Sequence, residues 1–252
     1  QFMRWGMSGG FPVIVLAPGN VAECYNLTRH AFDLAERFRV PVFLATDKET
    51  VASSATVDLD AYESVPVRER AVAAGNGQFV PYSYQPSDIV PPMAHFGGAH
   101  IVRFTGSSHN ERGYLTKDAT DVGALNTHLA AKIEDHADEI TLVSADIQPG
   151  AEILFISYGI TARSTQEAVK MARERGHKVS LLTLYSLWPL PEQAIRAALD
   201  GVTRVVVAEL NLGLYRREIE RLVCGQVEVT GATRIDGELL APGEILAKGG
   251  LL

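Results

Sequence analysis

The hydrophobic pattern is plainest between Glu152 and Val207. An apolar run at Ile153-Leu-Phe-Ile156 leads into a segment of helical period that stops at Gly176. A second apolar run spans Val179 to Leu184, a shorter helical segment opens at Pro189-Leu-Pro191, and a third run covers Val205 to Ala208. Continuous apolar runs are what strands covered on both faces show. Strand, helix, strand, helix, strand in that order predicts a parallel sheet with helices packed on it. Ser164 with Glu167 three residues later predicts a capping box at the first helix, and Gly176 its C-terminal stop. Helices at Leu214–Val223 and from Pro242, with a short strand at Val227–Thr230 between them, complete this region.

A smaller unit of the same kind opens the chain. Val13 to Leu16 is an all-apolar strand, and Pro18-Gly-Asn a turn. Val21 to Phe38 carries Leu27, His30, Ala31, Leu34, Ala35 and Phe38 on one helical face. Asn20 and Glu23 fit an N-cap and its reciprocal acid. Val40 to Leu44 follows as a strand, with Pro41 at its start. From about Thr50 to Thr116 no period is visible, yet Phe79, Tyr82, Tyr84, Phe96 and Phe104 argue for an ordered covering segment rather than a disordered linker. A helix is predicted over 115–136, with Ala124, Leu125, His128, Leu129, Lys132 and Ile133 on its face, and Thr141–Val143 and Ile147 lead into the second region. The organisation expected is residues 1–60, an irregular stretch with one helix over 61–147, and a second α/β domain over 148–252.

Composition narrows the classes. Apolar residues make up 46% and charged residues 21%, ordinary for a globular domain. The net charge of −7 leaves no nucleic-acid footprint. The excess of acid lies in the first 147 residues, eleven basic against eighteen acidic, whereas the rest is balanced at twelve each. Cys24 and Cys224 are far apart without metal-like spacing, so two buried cytosolic thiols are expected in place of a disulfide framework. No apolar run has transmembrane length, and a cytoplasmic location is expected. The chain opens on Gln1-Phe2 and enters a strand within a dozen residues, so we expect a piece of a longer polypeptide.

Three ordered segments carry a resemblance. SYGITARSTQEAVKMARERGHKVSLLTLYSLWPLPEQAI followed by VVVAELNLGLYRREIERLV resembles the transketolase C-terminal-like domain in the α subunit of 2-oxoacid:ferredoxin oxidoreductases. RWGMSGGFPVIVLAPGNVAECYNLTRHAFDLAERFRVPVFLATD is similar to the end of that subunit's pyrimidine-binding domain. FTGSSHNERGYLT is similar to the TG-x-x-HDE-x-G segment between them. The resemblance implies a partial pyrimidine-binding α/β domain followed by a three-layer domain with a mostly parallel sheet. It implies oxidative decarboxylation of a 2-oxoacid such as 2-oxoglutarate to an acyl-CoA, with reduction of ferredoxin. Thiamine diphosphate and Mg would sit at the interface with a β subunit that also carries an iron–sulfur cluster. A γ subunit or domain, ferredoxin and CoA complete the implied partners; nucleic acid and membrane are not among them. The family's Y-P-I-T-P-type motif is not found in this sequence. Two other readings stay open: a non-catalytic assembly module of a thiamine enzyme complex, and a transketolase-like relative that does not use ferredoxin.

The resemblance also implies site residues. Arg4 stands about where the family has a carboxylate-binding Arg, and a guanidinium suits a carboxylate through a bidentate pair. The family's G-x-H-G-D is Gly6-Met-Ser-Gly9-Gly10 here, with Ser8 for His and Gly10 for Asp. His109, Asn110 and Glu111, in a loop bounded by Gly106 and Gly113, are candidates to orient substrate or move a proton. The family's HDE becomes His-Asn-Glu. His128 and His30 read as core histidines, and His95 and His100 lack a third ligand for a metal site. Glu209 and Asn211 read as turn and interface residues, with Leu214 where the family has Gln. Ser157-Tyr158-Gly159 precedes a helix but lacks a dinucleotide or P-loop fingerprint.

Overall fold

The protein is seen in a computed structural model that describes residues 2–5, 11–62, 65, 68–75, 78–83 and 89–251. After a single turn, α1 (Phe2–Trp5), the first unit runs β1 (Ile14–Leu16), α2 (Val21–Phe38), β2 (Val42–Leu44) and a short α3 (Lys48–Ala52). β1 and β2 are parallel, with Ile14 opposite Val42. α2 starts where the sequence placed it, because Asn20 Oδ1 accepts from the Glu23 N–H at 2.9 Å. The reciprocal bond differs from expectation: Glu23 Oε2 takes the Gly19 N–H at 2.7 Å, one residue further out. Leu27, Leu34 and Phe38 of α2 pack on Ile14 and Leu16.

The described residues after α3 are irregular through Thr116 apart from a 3-10 turn at Leu59–Ala61 and isolated bridges such as Val72 to Met93. Its described parts lie along α2: Arg68 reaches Asp33, Arg70 reaches Glu36, and Arg39 at the end of α2 donates to the Pro91 carbonyl. The helix expected over 115–136 is α4 (Ala119–Glu134), trimmed at its start by Asp118, whose carboxylate accepts from the Thr120 and Asp121 N–H groups. A short α5 (Ala137–Ile140) follows, and Ile133 and Ile140 close the first core.

The second unit holds β3 (Val143–Asp146), β4 (Ile153–Ser157), β5 (Val179–Leu184), β6 (Ser186–Trp188), β7 (Arg204–Glu209) and β8 (Glu228–Thr233). Five of these form one sheet in the order β3-β5-β4-β7-β8, parallel except for β3. Between the strands run α6 (Thr161–Glu174), α7 (Glu192–Ala198) and α8 (Leu214–Val223), and α9 (Pro242–Gly249) closes the unit. Side chains alternate along the central strands. Leu154, Ile156, Val205 and Val207 face Ile195 of α7 and Ile219 of α8, whereas Phe155 and Val206 face Val169 of α6 and Ile245 of α9. Both faces are buried, which is why these strands read as unbroken apolar runs. The α/β class with a mostly parallel, three-layer second unit is therefore as expected.

One further local expectation is corrected. Ser164 and Glu167 do not cap α6, which begins three residues earlier at Thr161. The Ile160 N–H at its start is instead satisfied by Asp47 Oδ2 of the first unit at 2.8 Å. The strand expected over Val179–Leu184 is β5, with those bounds. The chain leaves the large sheet after Leu184, and β6 pairs antiparallel with β1, giving a small sheet in the order β2-β1-β6. The Ala17 N–H donates to the Tyr185 carbonyl at 2.7 Å at that crossing. The two units are thus joined edge to edge by backbone hydrogen bonds.

Candidate functional site

The carboxyl ends of β1, β2, β4 and β7 converge. They deliver Ala17, Ala45-Thr46-Asp47, Tyr158-Gly159 and Asn211 to one cavity of about 400 Å3. Loops at the carboxyl ends of parallel strands are where ligands enter such sheets. The approach of the two units is close enough to require glycine. A Cβ on Gly19 would overlap the Gly159 carbonyl, and one on Gly159 would lie 2.7 Å from Asp47 Oδ2. Gly159 also has φ +57°, a conformation costly for other residues.

A buried polar cluster shapes one wall. Glu209 is only 1% exposed, and its carboxylate accepts from the Tyr215 N–H at 3.0 Å and the Arg216 N–H at 2.9 Å. It thereby answers the unpaired amides and positive dipole end of α8. Tyr158 OH donates to Glu209 Oε2 at 2.8 Å and accepts from Asn211 Nδ2 at 2.9 Å. Asn211 Oδ1 takes the Leu214 N–H at 2.8 Å. Burial, then the Glu209 charge, push the Tyr158 phenol well above its ordinary value, so it is a fixed neutral hydroxyl. Burial raises Tyr215 likewise. The sequence reading of Glu209 and Asn211 as turn residues named the right residues. It did not reveal that they carry Tyr158.

Arg4 lines the same cavity. It forms an ion pair with Glu218 of α8, and its guanidinium lies 4.1 Å from the centre of the Trp188 ring. Burial foremost, and Arg221 after it, lower its pKa. A carboxylate reaching Arg4 would share the guanidinium with Glu218. Gly6, Met7, Ser8, Gly9 and Gly10 lie outside the described residues.

His109, Asn110 and Glu111 line a different cavity, of about 420 Å3, which shares no lining residue with the first. His109 stacks on Tyr82 with ring centres 3.7 Å apart, and its Nδ1 is 3.1 Å from the Asn110 carbonyl. Asn110 Oδ1 accepts from the Arg112 and Tyr114 N–H groups, closing the turn before Gly113. Asn110 is therefore spent on its own loop, and Glu111 is among the residues lining the cavity. Asp47, Tyr158 and Trp188 were missed as cavity residues. The signal for Asp47 and Tyr158 was available, since Tyr158 directly follows an apolar strand and Asp47 comes three residues after the end of another. Cys24 and Cys224 are free thiols but not the buried ones expected, Cys24 being half-buried and Cys224 exposed, and among the described residues no three His, Cys, Asp or Glu side chains gather to hold a metal.

Comparison with known proteins accords with this architecture. Residues 2–128 match the family model described as "Pyruvate flavodoxin/ferredoxin oxidoreductase, thiamine diP-bdg". Residues 151–245 match "Pyruvate:ferredoxin oxidoreductase core domain II". The 2-oxoglutarate synthase subunit KorA of Methanothermobacter thermautotrophicus is 37% identical over 243 residues, covering 95% of this chain and 63% of that protein. The Methanocaldococcus jannaschii subunit of the same name is 33% identical over 239 residues, with coverage of 95% and 63%. The chain thus spans a little under two thirds of the length of these relatives. A solved 2-oxoglutarate:ferredoxin oxidoreductase from Magnetococcus marinus, with 2-oxoglutarate, coenzyme A and succinyl-CoA bound, superposes with a TM-score of 0.86. That alignment has 21% identity and covers 99% of this chain and 44% of the other, a likeness of fold. With one family model spanning half of its residues and a second following in order, the chain belongs to the pyruvate flavodoxin/ferredoxin oxidoreductase family, the 2-oxoacid:ferredoxin oxidoreductases whose α subunit its sequence resembles.

Proposed function

We propose that the chain forms the α-subunit portion of a 2-oxoacid:ferredoxin oxidoreductase that acts on 2-oxoglutarate in the cytoplasm. In the balanced reaction, 2-oxoglutarate, CoA and two oxidised ferredoxins give succinyl-CoA, CO2, two reduced ferredoxins and a proton. The substrate assignment is supported by the relatives named 2-oxoglutarate synthase. The structural observation that carries the reading is the cavity at four converging strand ends, walled on one side by the Arg4 guanidinium. Within it, Arg4 binds a substrate carboxylate and Tyr158 offers an oriented, uncharged hydroxyl. His109 and Glu111, with Asn110 holding their loop, meet the substrate from a second surface completed by other subunits. The division into 1–60, 61–147 and 148–252 is part of the same proposal.

Thiamine diphosphate, when bound, supplies the carbon nucleophile that makes the decarboxylation possible. The described residues do not fit its charged end. Asp47 and Glu218 place carboxylates at the cavity beside Arg4 and Arg217, which leaves no net positive charge for a diphosphate, and among the described residues no three His, Cys, Asp or Glu side chains gather to hold its metal. We therefore assign the diphosphate, Mg and the iron–sulfur cluster to the β subunit, with a γ subunit or domain, CoA and ferredoxin as further partners. Among the described residues no helix is long and apolar enough to cross a membrane.

A second reading, an assembly module that contributes contact area and no chemistry, is favoured by one observation: Arg4 is already paired with Glu218. The test is to purify the chain with its accompanying subunits and assay thiamine and iron on the same sample. CoA-dependent reduction of a low-potential acceptor by 2-oxoglutarate is the expected result. If no 2-oxoacid with CoA supports reduction by a thiamine-loaded, iron-loaded complex, the proposal fails. Reduction that survives Arg4→Gln with unchanged kinetics selects the assembly reading for this chain.

A further inference from the structure

A third cavity, of about 670 Å3, lies where α4 meets the irregular segment. Its charged lining has one sign. Lys132 and Arg39 border it, with the imidazoles of His128 and His109, and no carboxylate among the described residues does. This happens in the part of the chain that holds the whole excess of acid, so composition does not explain it.

Lys132 is 7% exposed, and among the described residues its ammonium has no hydrogen-bond or ion-pair partner. Arg39 gives one bond to the Pro91 carbonyl at 2.7 Å, while its Nε is buried without a partner. Glu36, three residues back on α2, is engaged by Arg70. The two cations feel each other: Arg39 helps to lower the Lys132 pKa, to about 8, although burial does most of this. Enclosing a lysine without an anion is costly, and two such cations beside one cavity compound the cost. The lining also has an apolar part, with Phe79, Phe104 and Leu129. Thr105 to His109, from the segment similar to the family's TG-x-x-H, form the rim.

We propose that this cavity binds a compact organic oxyanion, a carboxylate or phosphate ester, with its charge between Lys132 and Arg39 and its apolar body against Phe79, Phe104 and Leu129. The site stands apart from the Arg4 cavity, with which it shares no lining residue. It does not depend on the oxidoreductase reading.

Calorimetric titration at neutral pH in a chloride buffer tests it, using the full chain with whatever subunits accompany it. Benzoate and phenyl phosphate are the two probes, and inorganic phosphate is the control without an apolar body. At least one organic probe is expected to bind with Kd of about 1 mM or tighter, and inorganic phosphate about tenfold more weakly. Lys132→Met and Arg39→Gln are each expected to weaken the organic probe by about tenfold or more, the scale of a lost charge-assisted bond. If neither organic probe binds, if both variants bind as the parent does, or if inorganic phosphate binds equally well, the proposal is overturned. Should a variant not fold, 13C-methylation of the parent's lysines provides a second reading. The Lys132 resonance, assigned by its loss in Lys132→Arg, is expected to shift with the organic probe and to titrate at higher pH. A resonance indifferent to the probe overturns the assignment.

Discussion

Lys132→Met is expected to make the protein more stable at pH 7. The lysine lies near the end of α4, 7% exposed, with its pKa lowered from 10.5 to about 8 by burial and by Arg39. A pKa of about 8 in the folded state against 10.5 in the unfolded chain corresponds to about 3 kcal/mol favouring the unfolded state when the group is charged. The sign follows from proton counting. Below pH 8 both states hold the proton, and the folded state bears the whole penalty. Between pH 8 and 10.5 only the unfolded chain holds it, so the parent gains stability as pH rises. Methionine keeps the apolar stem and removes the charge. The expected gain is thus about 3 kcal/mol at pH 7, falling to about 1 kcal/mol near pH 9.5. Urea unfolding of both proteins in chloride buffer at the two pH values measures it, since every other titration is common to the pair and cancels. A variant no more stable than the parent at pH 7, or a gain identical at both pH values, would refute a charged, unpaired Lys132. The same experiment with a bound oxyanion should shrink the difference, because the anion relieves the charge that methionine deletes.

Other perturbations probe the seam. Glu209→Gln replaces a carboxylate that accepts from Tyr158, Tyr215 and Arg216, and brings an amide donor against backbone N–H groups. A loss of about 2–3 kcal/mol in urea unfolding is expected; a neutral effect would show that the cluster relaxes. Gly19→Ala sets a methyl group against the Gly159 carbonyl and should cost more than about 2 kcal/mol. Thermal unfolding within a degree of the parent would contradict the close approach. Asp47→Ala strips the Ile160 N–H of its partner, with an expected loss of about 1–2 kcal/mol and faster hydrogen exchange at that amide; unchanged exchange would mean that another group protects it. In the co-purified complex, Arg4→Gln is expected to raise KM for 2-oxoglutarate about tenfold or more with a smaller effect on kcat, as befits a lost carboxylate contact. An unchanged kcat/KM would leave Arg4 with its structural pairing alone.

What could be read from the sequence was what neighbouring residues decide. The strands at 153–157, 179–184 and 204–209 were legible because burial on both faces makes them mostly apolar, their polar residues being the small Ser157, Ser180 and Thr183 and, at the ends of 204–209, Arg204 and Glu209. α8 was legible to the residue because Gly213 and Cys224, both at positive φ, bound it. Asn20 announced α2 for the same local reason. The misread features depend on residues far away along the chain. The start of α6 is set by Asp47, 113 residues upstream, so the local Ser164–Glu167 pair was a decoy. β6 was not read as a strand because Ser186–Trp188 carries no mark of the sheet it joins, and its partner β1 lies near the other end of the chain. Lys132 read as one more residue on a helical face, since nothing local says that no anion will meet it.

The same long-range contacts explain why the Arg4 cavity lies at the junction of the two units. Neither sheet could form it alone. β1 and β2 bring Ala17 and Asp47, β4 and β7 bring Tyr158 and Asn211, and β6 holds the two sets in register by pairing with β1. Because Asp47 caps α6 and Gly19 abuts Gly159, a shift of one unit against the other would uncap a helix and open the cavity together. Binding there is therefore coupled to the docking of the units. A ligand that contacts Arg4 on one side and Tyr158 on the other would stabilise the docked arrangement by its own binding energy.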